Sequence, residues 1–215
     1  MSKIVILGGT GYTGSAIVAE AAARGFDVVS VSRSATEDKI EGVNYIEGSV
    51  LDNAIRSKAF DGADVVIAAL SPRADMAGKV VQVYKAVIED LADSDTRLFI
   101  IGGFGSLKLS ADSDRIVNGD DFEPAYKPEA LELLSVLDSL QSSAPEALDW
   151  LYVSPAATYG AFNPGEKRGN YTVSGDVALF DANGESNLSN FDLATALVDE
   201  IENPAHHKEH ISIAY

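Results

Sequence analysis

Seven residues, Gly8-Gly9-Thr10-Gly11-Tyr12-Thr13-Gly14, constrain this chain more than any other stretch. The run Ile4 to Leu7 before them is wholly apolar, as a strand buried on both faces must be. The stretch after them, from about Gly14 to Arg24, reads as a helix, with Gly25 where a glycine commonly ends one. The glycines fit G-x-G-x-x-G from Gly9 and G-x-x-G-x-x-G from Gly8. That spacing meets three demands: a sharp turn, a backbone bare enough to approach an anion, and close packing of helix on strand. The free N–H groups of the helix's first turn then face the anion, and the helix dipole favours negative charge there. A tight turn with no ligand is the alternative. The strand before it and the helix after it supply the context that favours a dinucleotide's pyrophosphate.

The alternation continues along the chain. Strands are expected at 28–31, 45–50, 65–70, 98–101, 150–153 and 211–214. Asp52 can cap a short helix carrying Ile55 and Phe60. Ala77, Val80, Val81, Tyr84, Val87, Ile88 and Leu91 recur at helical spacing on one face. Leu133, Leu134, Leu137 and Leu140 point inward from a helix at about 129–140. Leu193, Ala194, Leu197, Val198 and Ile201 do so from a late helix that stops before Pro204. Residues 102–128 form a long, acidic, irregular loop, which in a compact domain is usually functional or mobile. Segment 160–190 reads as β-rich, with Asn183-Gly184 as a hairpin turn. This pattern predicts an α/β fold: a doubly wound, mostly parallel sheet of the Rossmann type. One domain is expected over 1–215, with a small substrate-side lobe from about 155–190. A chain of 215 residues that is 46% hydrophobic suits that size.

A net charge of −17 argues against partners held through phosphate backbones or anionic membrane surfaces. It leaves a dinucleotide open, because backbone amides hold one locally. The absence of cysteine excludes disulfides, thiolate catalysis and Cys-based zinc sites, and suits a reducing cytoplasm. No stretch has the roughly 18–20 apolar residues of a membrane span, and the N-terminal apolar run is too short for a signal peptide. His206, His207 and His210 read as exposed loop residues rather than metal ligands, so no metal is expected. Asp120-Asp121 read as solvated loop charges. Monomer and homodimer both stay open.

The second strand, Val28-Val29-Ser30-Val31, leads into Ser32-Arg33 with no acid at its end. NAD-binding folds place Asp or Glu there to hold the ribose 2′-OH. Ser32 offers a hydroxyl, and the planar fork of Arg33 can pair with a 2′-phosphate. This favours NADP and leaves NAD as the alternative, with Arg33 then a solvated charge or a stack for adenine.

The glycine turn, Arg33, and Gly102-Gly103-Phe104-Gly105-Ser106-Leu107 resemble the atypical short-chain dehydrogenase/reductases. More narrowly, Tyr126-Lys127-Pro128-Glu129-Ala130, Ser154-Pro155-Ala156 and Pro164-Gly165-Glu166-Lys167-Arg168-Gly169 resemble the NmrA-like and biliverdin reductase B (flavin reductase)-like NAD(P)-binding proteins. The similarity spans nearly the whole chain. It implies cofactor contacts at Gly8, Thr10, Gly11, Tyr12, Thr13 and Gly14, and at Ser49 and Val50 beside the adenine. It further implies Ala69, Leu70 and Ser71 beside the ribose and phosphates. Gly102, Gly103, Pro155 and Ala156 would then lie around the nicotinamide.

The chain departs from the usual Tyr-x-x-x-Lys pair of short-chain dehydrogenases, in which the Lys lowers the Tyr pKa. Ala130 stands four residues after Tyr126, Ile88 after Tyr84 and Asn163 after Tyr159. Hydride transfer does not need that pair when the acceptor is electron-poor, because the cofactor carries the chemistry. Tyr126 is the best side-chain proton donor, with pocket shaping as its alternative. Ser106 is a weaker candidate, since a serine beside a glycine turn often serves local hydrogen bonds. Three functions follow. The first is an NADPH-dependent oxidoreductase passing hydride to a small planar acceptor such as a flavin or quinone. The second is a non-catalytic NADP(H)-binding redox sensor, and the third a sugar-nucleotide epimerase, which the missing pair disfavours.

Overall fold

Residues 2–215 are described here by a computed structural model. The apolar runs form one eight-stranded sheet. Its strands are β1 (Lys3–Leu7), β2 (Asp27–Ser32), β3 (Asn44–Glu47), β4 (Val65–Ala68), β5 (Arg97–Ile101), β6 (Trp150–Pro155), β7 (Thr172–Ser174) and β8 (Glu209–Ala214). The spatial order is β3-β2-β1-β4-β5-β6-β8-β7. Every neighbouring pair is parallel except β7 with β8. The strand order reverses between β1 and β4, and open α/β sheets bind ligands beyond the carboxyl ends of the strands at such a reversal.

Five helices cover the sheet: α1 (Tyr12–Ala23), α2 (Asn53–Phe60), α3 (Val80–Leu91), α4 (Lys127–Ser143) and α5 (Asn190–Glu202). Successive strand residues point to opposite faces. Ile4 and Ile6 therefore join α1 and α5 in one core, with Phe99, Val153 and Ile211. Val5 and Leu7 join α3 and α4 in the other, with Val66, Leu98 and Tyr152. Strands buried on both faces must read as continuous apolar runs, as these do. None of the helices is long and apolar enough to cross a membrane, among the described residues.

Local chemistry sets the helix ends. Gly25 has φ +81, and the Phe26 and Gly25 amides donate to the carbonyls of Ala21 and Ala22. That paired bonding closes the last turn of α1. Asp52 caps α2 by accepting from the Ala54 amide at 2.9 Å. Helix α3 has no capping side chain of its own. Glu132 of α4 supplies one, accepting from Gly78 at 3.0 Å and Val80 at 2.7 Å. Val83 rather than Val81 completes the buried face of α3, and Val81 is exposed.

Segment 160–190 differs from expectation. It holds only the three-residue strand β7. The turn at Asn183-Gly184 is present, with Gly184 at φ +78, but no strands flank it. Asp181 closes that turn by accepting from the Asn183 and Glu185 amides. Farther back, the fully buried Asp192 accepts from the Arg168 and Gly169 amides, each at 2.8 Å, and from the hydroxyls of Ser189 (2.8 Å) and Tyr215 (2.5 Å). Carboxylates thus take over backbone donors that a sheet ladder would otherwise satisfy.

Burial alone would raise the pKa of Asp192, but its four donors outweigh burial and hold the carboxyl below the usual range. Such a group stabilises the fold above the unfolded Asp pKa of about 3.9, and that stabilisation is lost as pH falls through the folded value. Asp192→Asn is therefore expected to lower stability at pH 7 by about 1–3 kcal/mol. The gap to wild type should close on acidification below about pH 4. Urea denaturation across pH checks this, and a gap independent of pH would contradict it.

Candidate dinucleotide site

The glycine turn connects β1 to α1 at the strand-order reversal. Gly8 adopts φ +83, open to glycine at little cost, and its amide donates to the Val31 carbonyl of β2 at 2.9 Å. Gly14 is buried, and a Cβ there would lie 2.1 Å from the Gly8 oxygen. Any side chain at Gly14 would lift the helix off the turn. Gly11 is the N-cap of α1 and offers no capping side chain, and the first turn has no acid. Among the described residues, no group accepts from the N–H of Thr10, Tyr12, Thr13 or Gly14. Thr10 and Gly11 face solvent. Uncompensated donors with the positive end of a helix dipole behind them suit a diphosphate.

Aromatic and amide groups that local sequence patterns do not flag brace this turn. Tyr159 packs edge-on against Tyr12 at 5.5 Å, and its hydroxyl lies 2.7 Å from Thr13 Oγ1. Burial raises the Tyr159 pKa. The Tyr12 hydroxyl donates to the Pro164 carbonyl at 3.1 Å. Asn190, at the start of α5, donates to the Tyr12 carbonyl at 3.0 Å, while its buried Oδ1 finds no partner among the described residues. The segment around Pro164 thereby lies against the start of α1.

At the end of β2 the Ser32 hydroxyl is occupied by the Ser34 carbonyl at 2.8 Å. The Arg33 guanidinium is half-exposed and pairs with Asp75. That contact, with burial opposing it, holds the Asp75 carboxyl below its ordinary range. Ser49 and Val50 follow β3. The Ser49 hydroxyl accepts from the Leu51 amide, and the buried Val50 gives its carbonyl to Arg56. Ala69, Leu70 and Ser71 follow β4. The Ala69 amide is tied to the Leu7 carbonyl, and Ser71 is exposed.

Beyond β5 and β6 a buried polar cluster underlies Gly102, Gly103, Pro155 and Ala156. A Cβ on Gly102 would lie 2.2 Å from the Tyr152 ring, so the ring packs against the backbone there only because that residue is glycine. Tyr152 donates to the Leu133 carbonyl at 3.0 Å. The buried Ser106 hydroxyl lies 3.2 Å from the Tyr152 oxygen. Ser154 donates to the Gly103 carbonyl at 2.9 Å. His210 Nε2 therefore donates to Ser154 Oγ at 2.9 Å, and Nδ1 faces Arg115 at 3.5 Å. Burial, reinforced by the Arg115 charge, pushes the His210 pKa down to about 3, so the ring is neutral.

His210 is thus a core residue, in contrast to the exposed loop histidine its polar neighbours suggest. It lies on β8, an interior strand, where alternate residues must be buried. His206 pairs with Glu200 and His207 with Asp149, and no cluster suited to a metal occurs among the described residues. Tyr126 lies at the start of α4, more than half exposed. Phe104 and Ser106 form a short turn packed against that end of α4.

The sequence matches the NAD(P)H-binding family over residues 8–204. It is 31% identical to the uncharacterized protein YwnB of Bacillus subtilis (strain 168), over 98% of this chain and 97% of that one. A crystal structure of a proposed NADH-flavin reductase from Streptococcus pneumoniae TIGR4 superposes with a TM-score of 0.88 at 31% identity, covering 100% of this chain and 99% of that one. A proposed epimerase from Bacteroides thetaiotaomicron also gives 0.88, at 30% identity over 100% and 97% of the two chains. The bare helix start at the strand-order reversal is the feature such a family needs, and this chain belongs to the NAD(P)H-binding family.

Proposed function

We propose that this protein is an NADPH-dependent oxidoreductase that passes hydride to a small planar acceptor, a flavin or a quinone. The reading rests above all on the uncapped first turn of α1, whose free amides suit a pyrophosphate. When bound, the nicotinamide supplies the hydride. The protein's part is to hold and orient. Gly8 to Gly14 seat the diphosphate, and Arg33 pairs with the 2′-phosphate. Ser49 and Val50 flank the adenine, and Ala69, Leu70 and Ser71 line the ribose and phosphates. Gly102, Gly103, Pro155 and Ala156 shape the nicotinamide end.

The absent Tyr-x-x-x-Lys pair suits an acceptor that needs no strong proton donor, because solvent can protonate it after hydride arrives. A flavin acceptor also agrees with the name given to the Streptococcus relative. Tyr126 is the proposed side-chain donor, more than half exposed at the N-terminal end of α4. Ser106, with its hydroxyl committed beside Tyr152, would act by ordering the turn after β5. The same missing pair favours a second reading, a redox sensor that binds NADP(H) without turnover.

The absorbance of reduced nicotinamide, followed with FMN, FAD or a quinone added, separates these readings. Acceptor-dependent loss above the protein-free rate is expected. Tight NADPH binding with no turnover across the panel would replace the enzyme with the sensor. Arg33→Asp should weaken NADPH binding by about tenfold or more, the loss of one strong charge-assisted contact. NADH binding should change by less than about twofold, because NADH lacks the phosphate that Arg33 would pair with. Equal losses for both cofactors in a calorimetric titration would refute the 2′-phosphate assignment.

A further inference from the structure

The half-exposed guanidinium of Arg33 faces a carboxylate delivered from a different part of the chain. Asp75 sits on a three-residue turn, Ala74–Met76, that follows β4 rather than β2. Several contacts fix that turn in place. Met76 is buried in the core, and its amide donates to the Arg73 carbonyl at 3.0 Å. Ala74 takes a left-handed φ of +51, a conformation disfavoured for a residue with a Cβ. Arg73 pairs with Glu129 of α4 at 2.7 Å, and Glu132 of the same helix accepts from the Gly78 and Val80 amides just beyond. The core and α4 thus hold the turn that carries Asp75, and its carboxylate engages one nitrogen of the Arg33 guanidinium.

We propose that Asp75 is a selectivity residue for the cofactor: its carboxylate competes with the 2′-phosphate for Arg33 and narrows the preference for NADPH over NADH. This rests on the reading of Arg33 as the group facing the 2′ position. The competition follows from charge and geometry. A planar guanidinium binds carboxylate and phosphate through the same N–H groups. The pair is open to water, so a phosphate dianion can displace the carboxylate. Asp75 then lies beside the incoming phosphate and repels it. NADH carries a neutral hydroxyl instead of a phosphate at that position and leaves the pair intact.

The test titrates NADPH and NADH into the full-length protein, wild type and with Asp75→Asn, Arg33→Gln or both. Asp75→Asn is expected to tighten NADPH binding roughly two- to tenfold, the range of an exposed pair, and to move NADH less than about twofold. The gain should shrink with added salt, as screening weakens exposed charges. It should also be smaller when Arg33 is already Gln. If Arg33→Gln lowers the NADPH preference but Asp75→Asn leaves the NADPH to NADH ratio unchanged, the competition is refuted while the Arg33 reading stands. If Arg33→Gln also leaves the ratio unchanged, Arg33 does not face the 2′ position, and both ideas fall.

Discussion

Four backbone N–H groups without acceptors among the described residues, at the start of one helix, are the constraint around which the rest of this structure is arranged. Orphaned donors at a helix start are normally met by a capping side chain or by water. Here the cap position is Gly11, which has none to offer. The left-handed turn at Gly8 and the close approach at Gly14 keep that edge clear of side-chain atoms. The mostly parallel sheet, reversing its order between β1 and β4, places the edge beyond the carboxyl ends of its strands, where such sheets bind ligands. Net charge plays no part in this: a strongly acidic protein can carry a local anion seat because dipoles and amides, rather than lysines, build it.

The neighbouring turns beyond β5 and β6 are built on a different principle. Beneath the turns after β5 and β6, Tyr152, Ser106, Ser154, His210 and Arg115 form a hydrogen-bonded cluster. Arg115 also binds the Ser106 carbonyl at 2.9 Å and Asp176 at 2.9 Å, tying the long loop after β5 to the segment just after β7. A satisfied buried network of this kind fixes one arrangement, because breaking any member strands the others. His210 is held neutral within it and therefore orders the turns without carrying charge across the neutral pH range.

Much of this architecture is legible in the amino-acid order. Parallel strands buried on both faces leave unbroken apolar runs, so β1, β4 and β5 stand out, and the glycine spacing marks the phosphate turn. Where several readings share one pattern, the sequence is silent. A string of valines does not say whether Val81 or Val83 faces the core. Segment 160–190 looks β-rich, yet Asp181 and Asp192 satisfy its backbone locally instead of a ladder. The exposed appearance of His210 comes from its chain neighbours, whereas its burial comes from β8 pairing with β6 from a distance, which sets its ring against Tyr152. The braces of the site, Tyr159 on Thr13 and Asn190 on Tyr12, span 146 and 178 residues, and no local pattern encodes them. The meeting of Asp75 with Arg33 is of the same kind.

The account stands or falls on whether the first turn of α1 receives the cofactor's diphosphate. Amide-resolved NMR during a titration with NADPH and NADH addresses it directly. The account predicts saturable shifts centred on the amides of Thr10 to Gly14, larger than those elsewhere, for both cofactors. Absence of saturation at millimolar concentration, or shifts that bypass these residues, would contradict it.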